Sequence, residues 1–226
     1  VAKNLASHGF EIILIDQRNH GKSFHADQFD YETMSEDLKN FLDEKKIQKV
    51  SLIGHSMGGK TIMNFILNYP SYTNKVIVVD ILPKAYNNDY EKIFNAFSKM
   101  DLNNLKSRKQ IDEYFSGFFS DYTFVSFLSK NINRDSNGNF KIKFNLNSIR
   151  SNISKITSAI KIDRVFNEDI LFMKGEYSNY IDNQGLFEAK KSFPKLSLVT
   201  IENSSHWIHY ENQKKFLLET LNYLRT

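Results

Sequence analysis

Residues 51–60 read SLIGHSMGGK, and this motif indicates the fold more strongly than any other part of the sequence. The pattern G-x-S-x-G stands there between an apolar, β-branched run and a helical pattern, the context that a serine nucleophile on a strand-to-helix turn requires. The turn is sharp, and a Cβ atom at Gly54 or Gly58 would crowd it. The same turn strains the backbone of Ser56 and exposes its hydroxyl.

The residue after Ser56 is placed to stabilise a developing anion. At such a turn the backbone N–H of Met57 points at the carbonyl oxygen of a bound substrate, at the positive end of a helix dipole. We therefore predict that Ser56 is a nucleophile and that Met57 donates one hydrogen bond of an oxyanion hole.

A serine nucleophile also needs a general base. In this architecture a histidine follows the last strand and precedes the last helix, where residues 203–210 read NSSHWIHY. His206 lies nearer to the end of the strand, so we assign it as the base. His209 is interpreted as a structural histidine of the loop or helix end. His55 precedes the nucleophile and borders the predicted site.

Two carboxylates are candidates for the acid that orients the base, because the expected chain order is serine, acid, histidine. Asp80 ends the strand after the nucleophile helix, and Glu176 follows the strand ILFM at 170–173. Either would orient the imidazole and stabilise its cation. Either would equally serve as a strand-end carboxylate that caps a loop N–H. The residues alone leave this choice open.

Strand-sized apolar runs alternate with helical patterns along much of the chain. Strands are predicted at 11–16, 50–53, 76–81, 170–173 and 196–201. Helices are predicted at 31–45, 58–68, 184–192 and 212–224, and residues 1–8 read as the end of another. This alternation indicates a parallel α/β sheet flanked by helices.

Residues 84–166 break the alternation. They are rich in Asn and Lys, show helical apolar spacing, and contain Asn137-Gly138, a typical hairpin turn. We predict an inserted, mainly helical lid there, between two core segments at 1–83 and 167–226.

The composition excludes several classes of protein. With 226 residues, 41% of them hydrophobic, the chain can build one large core, and the lack of cysteine excludes disulfide scaffolds and thiol catalysis. The lysines behind the net charge of +4 are scattered, which argues against nucleic-acid binding. No apolar run is long enough to span a bilayer and no signal-like segment is recognisable, so we expect a cytoplasmic protein. The absence of a metal-ligand cluster or phosphate-binding loop predicts no cofactor and no metal.

Four motifs together resemble one family: DQRNHGKS at 16–23, GHSMGGK at 54–60, VDILP at 79–83 and HWIH at 206–209. They are similar to the motifs of the α/β-hydrolase superfamily and, more narrowly, of YbfF/ABHD11-type esterases, over the whole chain. The resemblance implies hydrolysis of small acyl esters or thioesters through an acyl-serine intermediate. It also implies that the acid is the Asp of VDILP, which ranks Asp80 above Glu176.

The chain departs from that family at two positions and leaves several points open. Glu176 stands where members lack a carboxylate, and Ser205 stands where they usually have glycine before the catalytic histidine.

Most lid aromatics are expected to pack the lid. The candidate substrate contacts are His55, Tyr86, Phe94, Phe118 and Trp207. A lyase or perhydrolase with the same triad, or a non-catalytic binding protein, is the alternative.

The start of the chain leads to one more expectation. In this fold the strand beside VSLI at 50–53 precedes the run at 11–16, and the loop after that strand supplies the second oxyanion donor. Neither feature is found in the sequence. We therefore expect an N-terminally incomplete version of a longer enzyme, with its first strands absent.

Overall fold

The strands in the described part of the chain form a four-stranded sheet and a two-stranded hairpin. A computed structural model describes residues 1–87 and 89–226. The strands within those ranges are β1 (Val50–His55), β2 (Thr73–Val79), β3 (Ile132–Arg134), β4 (Phe140–Ile142), β5 (Ile170–Gly175) and β6 (Leu196–Ile201).

The helices are short to medium in length and are separated by loops. They are α1 (Ala2–Ser7), α2 (Tyr31–Glu44), α3 (Met57–Asn68), α4 (Glu91–Ser98), α5 (Arg108–Ser116), α6 (Tyr122–Ser129), α7 (Leu146–Ser151), α8 (Ile153–Thr157), α9 (Asn183–Ala189), α10 (Ile208–Glu211) and α11 (Gln213–Arg225). A 3-10 turn, Pro70–Tyr72, connects α3 to β2.

The chain divides into two compact units. The first comprises Val1–Ile15, Asp30–Tyr86 and Ser158–Thr226, and the second comprises Asp16–Phe29 and Asn87–Thr157. Every residue proposed for catalysis from the sequence therefore lies in the first unit.

The sheet of the first unit is parallel, with strand order β1-β2-β5-β6. The inner strand β2 carries the run VIVV at 76–79, whose side chains are at most 1% exposed. Strands buried on both faces are expected to read as such continuous β-branched runs. Four of the five predicted strands and the α/β class are therefore confirmed. The carboxyl ends of β1, β2 and β5 share one edge of the sheet, which brings together the loops that follow them.

The prediction of a strand at 11–16 is wrong. In the part of the chain that the structure describes, this segment pairs with no strand, and the side chain of Leu14 is 81% exposed. A strand needs a neighbour to accept and donate its ladder hydrogen bonds, and an apolar β-branched run does not create one by itself.

The predicted helices at 31–45, 58–68, 184–192 and 212–224 are confirmed as α2, α3, α9 and α11, with ends shifted by up to three residues. The start of α2 shows a capping box. Asp30 accepts the backbone N–H of Thr33 at 2.9 Å, and the Thr33 side chain lies near the N–H of Asp30 in return. Capping of this kind satisfies helix N–H groups that lack an intrahelical acceptor.

The second unit contains α4 to α8 and the antiparallel hairpin β3–β4. The hairpin predicted at Asn137-Gly138 is confirmed, and Gly138 adopts φ 84° at its turn. Residues 16–29 also belong to this unit, because Asn19 binds α7: its Nδ2 donates to Ser148 Oγ at 3.0 Å. The predicted lid boundaries at 84 and 166 stay a prediction.

Candidate active site

Ser56 lies in a strained turn between β1 and α3. Its backbone adopts φ 52° and ψ −118°, a region that non-glycine residues rarely occupy. Two backbone hydrogen bonds fix this strained conformation. The N–H of Ser56 donates to Val79 O on β2 at 3.0 Å, and its C=O accepts the N–H of Lys60 in the first turn of α3 at 3.1 Å. The sheet and the helix together therefore fix the serine at the edge of the sheet.

The close approach of the backbone at this turn explains the first glycine of the motif. A Cβ atom at Gly54 would lie 2.4 Å from the carbonyl oxygen of Gly58, a distance that carbon and oxygen atoms do not tolerate. Met57 begins α3, so its N–H belongs to the first helical turn, whose N–H groups have no intrahelical acceptor.

Asp80 follows β2 directly and is fully buried. Its N–H donates to Met173 O on β5 at 2.8 Å, in a left-handed backbone conformation with φ 52°. The Asp80 carboxylate then turns toward the carboxyl end of β5. Its Oδ1 accepts the N–H of Gly175 at 3.1 Å, and its Oδ2 accepts the hydroxyl of Ser178.

The same carboxylate contacts the predicted base. Asp80 Oδ2 lies 2.8 Å from Nδ1 of His206. A carboxylate only accepts hydrogen bonds, so the proton of a neutral His206 is on Nδ1 and its Nε2 carries a lone pair. Three donors therefore converge on Asp80, so the oxygens of this buried carboxylate have hydrogen-bond partners.

Glu176 lies in a different environment. Its side chain is exposed, and its Oε2 accepts the backbone N–H of Asn203 at 2.8 Å. This bond joins the loop after β5 to the loop after β6, in the capping role that a strand-end carboxylate often has. The structure therefore brings Asp80, and not Glu176, to hydrogen-bonding distance of His206 Nδ1.

His55 supports the loop that carries His206. Its Nε2 lies 2.8 Å from the backbone oxygen of His206, and a carbonyl only accepts, so Nε2 carries the proton. Burial, together with the nearby His206 and His209, lowers the pKa of His55 to about 3. His55 is therefore neutral at physiological pH and adds no charge beside the base.

Two further contacts hold the loop before His206. Glu211 on α10 accepts the N–H of Ser205 at 2.6 Å and the hydroxyl of Ser205 at 2.7 Å. On the other side, the loop passes so close to β5 that a Cβ atom at Gly175 would lie 1.9 Å from Ser205 O. The two hydrogen bonds between Ser205 and Glu211, called the Ser205–Glu211 clamp below, and the close contact with Gly175 thus fix the backbone one residue before His206.

The remaining predicted residues fall into two groups. Trp207 lies in the first unit, with its ring centroid 5.2 Å from that of His55 and 5.4 Å from that of His206. Tyr86 uses its hydroxyl internally: it accepts the N–H of Leu82 and donates to Tyr180 O, both at 2.8 Å.

The other two predicted contacts, Phe94 and Phe118, lie in the second unit. Phe94 is 4% exposed, and its ring centroid is 6.4 Å from that of Tyr90. Phe118 packs on Tyr114 and on the buried cluster of this unit. Both side chains therefore take part in packing within their own unit, as expected for most of the lid aromatics.

Sequence reasoning missed three residues around the base. Ser178 binds Asp80, Glu211 binds Ser205, and Tyr180 stacks on the His206 ring. Ser178 and Tyr180 lie two and four positions after Glu176, which was itself a candidate acid. The polar and aromatic residues next to that candidate were the sequence signal that could have identified them. His209, interpreted as structural, packs its ring 4.8 Å from His55.

Across residues 1–87 and 89–226, no three His, Asp or Glu side chains are grouped to hold a metal ion. Among the helices of the same ranges, none combines the length and the apolar character that a membrane span requires.

The chain is similar to proteins of one fold family. A family model described as alpha/beta hydrolase fold matches residues 1–213. A protein named putative esterase/lipase, from Haemophilus influenzae, is 34% identical over 93% of this chain and 72% of its own length. The sn-1-specific diacylglycerol lipase ABHD11 of Danio rerio is 30% identical over 100% of this chain and 73% of its own length.

A solved structure shows the same similarity in three dimensions. The protein described as a marine microorganism esterase superposes with a TM-score of 0.93 at 39% identity, covering 98% of this chain and 88% of that chain.

Proposed function

The chain belongs to the α/β-hydrolase fold family, and on that premise we propose that it is a serine hydrolase of small carboxylic esters or thioesters. The relatives named esterase, esterase/lipase and diacylglycerol lipase support an ester substrate. Ser56 is the proposed nucleophile, His206 the general base and Asp80 the acid that orients it. Met57 N–H is the proposed oxyanion donor.

The single observation that carries the proposal is the contact of 2.8 Å between Asp80 and His206 Nδ1, at the same sheet edge as the strained turn at Ser56. The resulting tautomer has its lone pair on Nε2, as a base that accepts the proton of a serine hydroxyl needs. Buried Asp80 stabilises the imidazolium that forms, because opposite charges attract strongly where water is excluded.

The proposed reaction has two steps. In the first, Ser56 Oγ bonds to the acyl carbon, its proton passes to His206 Nε2, and the bond from the acyl carbon to the leaving oxygen or sulfur breaks. His206 then gives the proton to that leaving atom. In the second, water attacks the acyl-serine with the same base, which releases the acid and restores Ser56.

A fluorophosphonate probe tests the nucleophile directly. We expect one adduct, on the peptide that contains Ser56, and none in Ser56→Ala. Ser51→Ala is the matched control, because Ser51 lies five residues earlier in β1 and its hydroxyl accepts a hydrogen bond from Asn74. A folded protein without an adduct on Ser56 would contradict the proposal and favour a binding protein.

Turnover of p-nitrophenyl acetate and butyrate, compared with matched acyl thioesters, then separates the two leaving groups. The chain contains no cysteine, so thiol released from a thioester is measurable with a thiol reagent without background from the protein. An adduct on Ser56 without hydrolysis of either class would favour a lyase or perhydrolase reaction instead.

A further inference from the structure

We propose that Tyr180 is a positioning residue for the base: its ring holds the plane of the His206 imidazole and stabilises the imidazolium. This inference rests on the proposed function, in which His206 becomes positively charged as Ser56 attacks. It extends that function to a residue that contacts the proposed base.

The stacking geometry fits this role. The ring centroids of Tyr180 and His206 lie 4.0 Å apart, and the ring planes differ by 19°. A face contact of this kind leaves the edge of the imidazole free, where Nδ1 meets Asp80 and Nε2 carries its lone pair. It restricts rotation of the imidazole about its bond to Cβ without occupying either nitrogen.

Tyr180 is itself held in place. Its backbone oxygen accepts the hydroxyl of Tyr86 at 2.8 Å, and its N–H donates to Ser178 Oγ at 3.3 Å. The rings of Tyr86 and Tyr180 also pack, with centroids 5.2 Å apart. The Tyr86 hydroxyl in turn accepts the N–H of Leu82, two residues after Asp80. The acid and the stacking ring are thus braced by the same short network.

The groups that face the imidazole include one carboxylate and one neutral ring. Asp80 faces the Nδ1 edge, and the neutral ring of His55 lies 4.5 Å from the imidazole centroid. The negative face of the Tyr180 ring adds an attraction that only the charged imidazolium experiences fully. The stacking therefore stabilises the transition state more than the resting enzyme, which is the requirement for a faster reaction.

Two variants of Tyr180 separate the ring from the hydroxyl. Tyr180→Phe keeps the ring and should retain kcat and the pH profile of kcat/KM within about twofold. Tyr180→Leu removes the ring. Its kcat should fall about three- to thirtyfold, and the acidic limb of its kcat/KM profile should move to lower pH by about half a unit to one unit. The substrate is p-nitrophenyl butyrate, and thermal melts verify folding.

Tyr177→Leu is the matched control, because Tyr177 is a tyrosine of the same loop with 64% of its surface exposed. It should leave kcat and the acidic limb unchanged. The inference is overturned if Tyr180→Leu raises KM alone with an unmoved acidic limb, or if Tyr180→Phe loses as much activity as Tyr180→Leu.

A spectroscopic measurement tests the inference independently of turnover. In 15N-labelled protein, the proton on His206 Nδ1 should give a downfield resonance that is sharp in the parent and in Tyr180→Phe and is broadened or lost in Tyr180→Leu. An unchanged resonance in Tyr180→Leu would overturn the positioning role. A sharp, ring-dependent resonance in a protein that hydrolyses no ester would instead contradict the proposed function alone.

Discussion

Asp80 Oδ2 lies 2.8 Å from His206 Nδ1, although 126 positions separate the two residues in the chain. The contact depends on three consecutive strands of the sheet: Asp80 follows β2 and is tied to β5, and the loop of His206 follows β6, which pairs with β5. The carboxylate also binds Ser178 and the N–H of Gly175, both in or directly after β5. The candidate acid and the candidate base are thus joined through the strand that lies between theirs.

The first prediction concerns the replacement of each candidate acid by the corresponding amide. Asp80→Asn should lower kcat by about 10³- to 10⁴-fold, because an amide at this position favours the wrong imidazole tautomer and carries no charge. Glu176→Gln, the matched control, should stay within about threefold, since Glu176 binds the N–H of Asn203 instead. Both are measured as kcat with p-nitrophenyl butyrate. Loss of activity in Glu176→Gln alone would show that the acid is misassigned.

Gly175→Ala should disrupt the histidine loop. The added Cβ atom would lie 1.9 Å from Ser205 O, so either β5 or the loop that carries His206 must move. We expect the free energy of unfolding to fall by about 2–4 kcal/mol, with a loss of turnover that exceeds tenfold. Urea unfolding and kcat measure the two effects.

Gly117→Ala is the control for this glycine, because its φ is −69° and the nearest atom to an added Cβ is Tyr114 O at 3.2 Å. It should lose less stability than Gly175→Ala and retain full turnover. Equal effects of the two changes would mean that close contact with the histidine loop is not the cause.

The Ser205–Glu211 clamp gives a prediction about coupling. Ser205→Ala and Glu211→Ala should each lower kcat about three- to tenfold, because the first removes the hydroxyl bond to Glu211 and the second removes both bonds that hold Ser205 before His206. The double variant should lose no more than Glu211→Ala, since that change already removes both hydrogen bonds to Ser205. Independent, fully additive losses in this double-mutant cycle would contradict the clamp.

The burial of Lys60 leads us to predict that the free energy of unfolding depends on pH. Its side chain is 1% exposed, and burial lowers its pKa to about 8 from 10.5. Between those two values the unfolded chain binds more protons than the folded one, so the free energy of unfolding should rise with pH through this window. A shift of this size corresponds to about 3 kcal/mol.

Urea unfolding between pH 7 and pH 10.5 measures this rise. Lys60→Met should flatten it, whereas Lys109→Met should not, because the side chain of Lys109 is 85% exposed. Lys60→Met also removes the hydrogen bond of 2.6 Å from Lys60 Nζ to Ser158 O. This loss should lower the free energy of unfolding by a similar amount at every pH. An identical rise in the parent and in Lys60→Met would contradict the assignment.

Much of the fold could be predicted because its signals are local. β-branched runs, capping residues and the spacing of Gly54, Ser56 and Gly58 act over a few neighbouring positions. The run at 11–16 shows where local signals fail: its composition favours a strand, yet strand formation depends on a partner that local sequence does not describe. The candidate nucleophile and base were predictable for the same reason, since each follows from its position relative to a strand end.

The class of fold, the strained turn at Ser56 and the loop that holds His206 all follow from local sequence patterns. The choice of the carboxylate that contacts His206 depends on the packing of the strands, which also places Ser178, Tyr180 and Glu211 around Asp80, His206 and Ser205. The physical reason is that hydrogen bonds and ring stacking act over a few ångströms. The paths of the loops after β2, β5 and β6 set those distances, and these paths depend on how the strands pair.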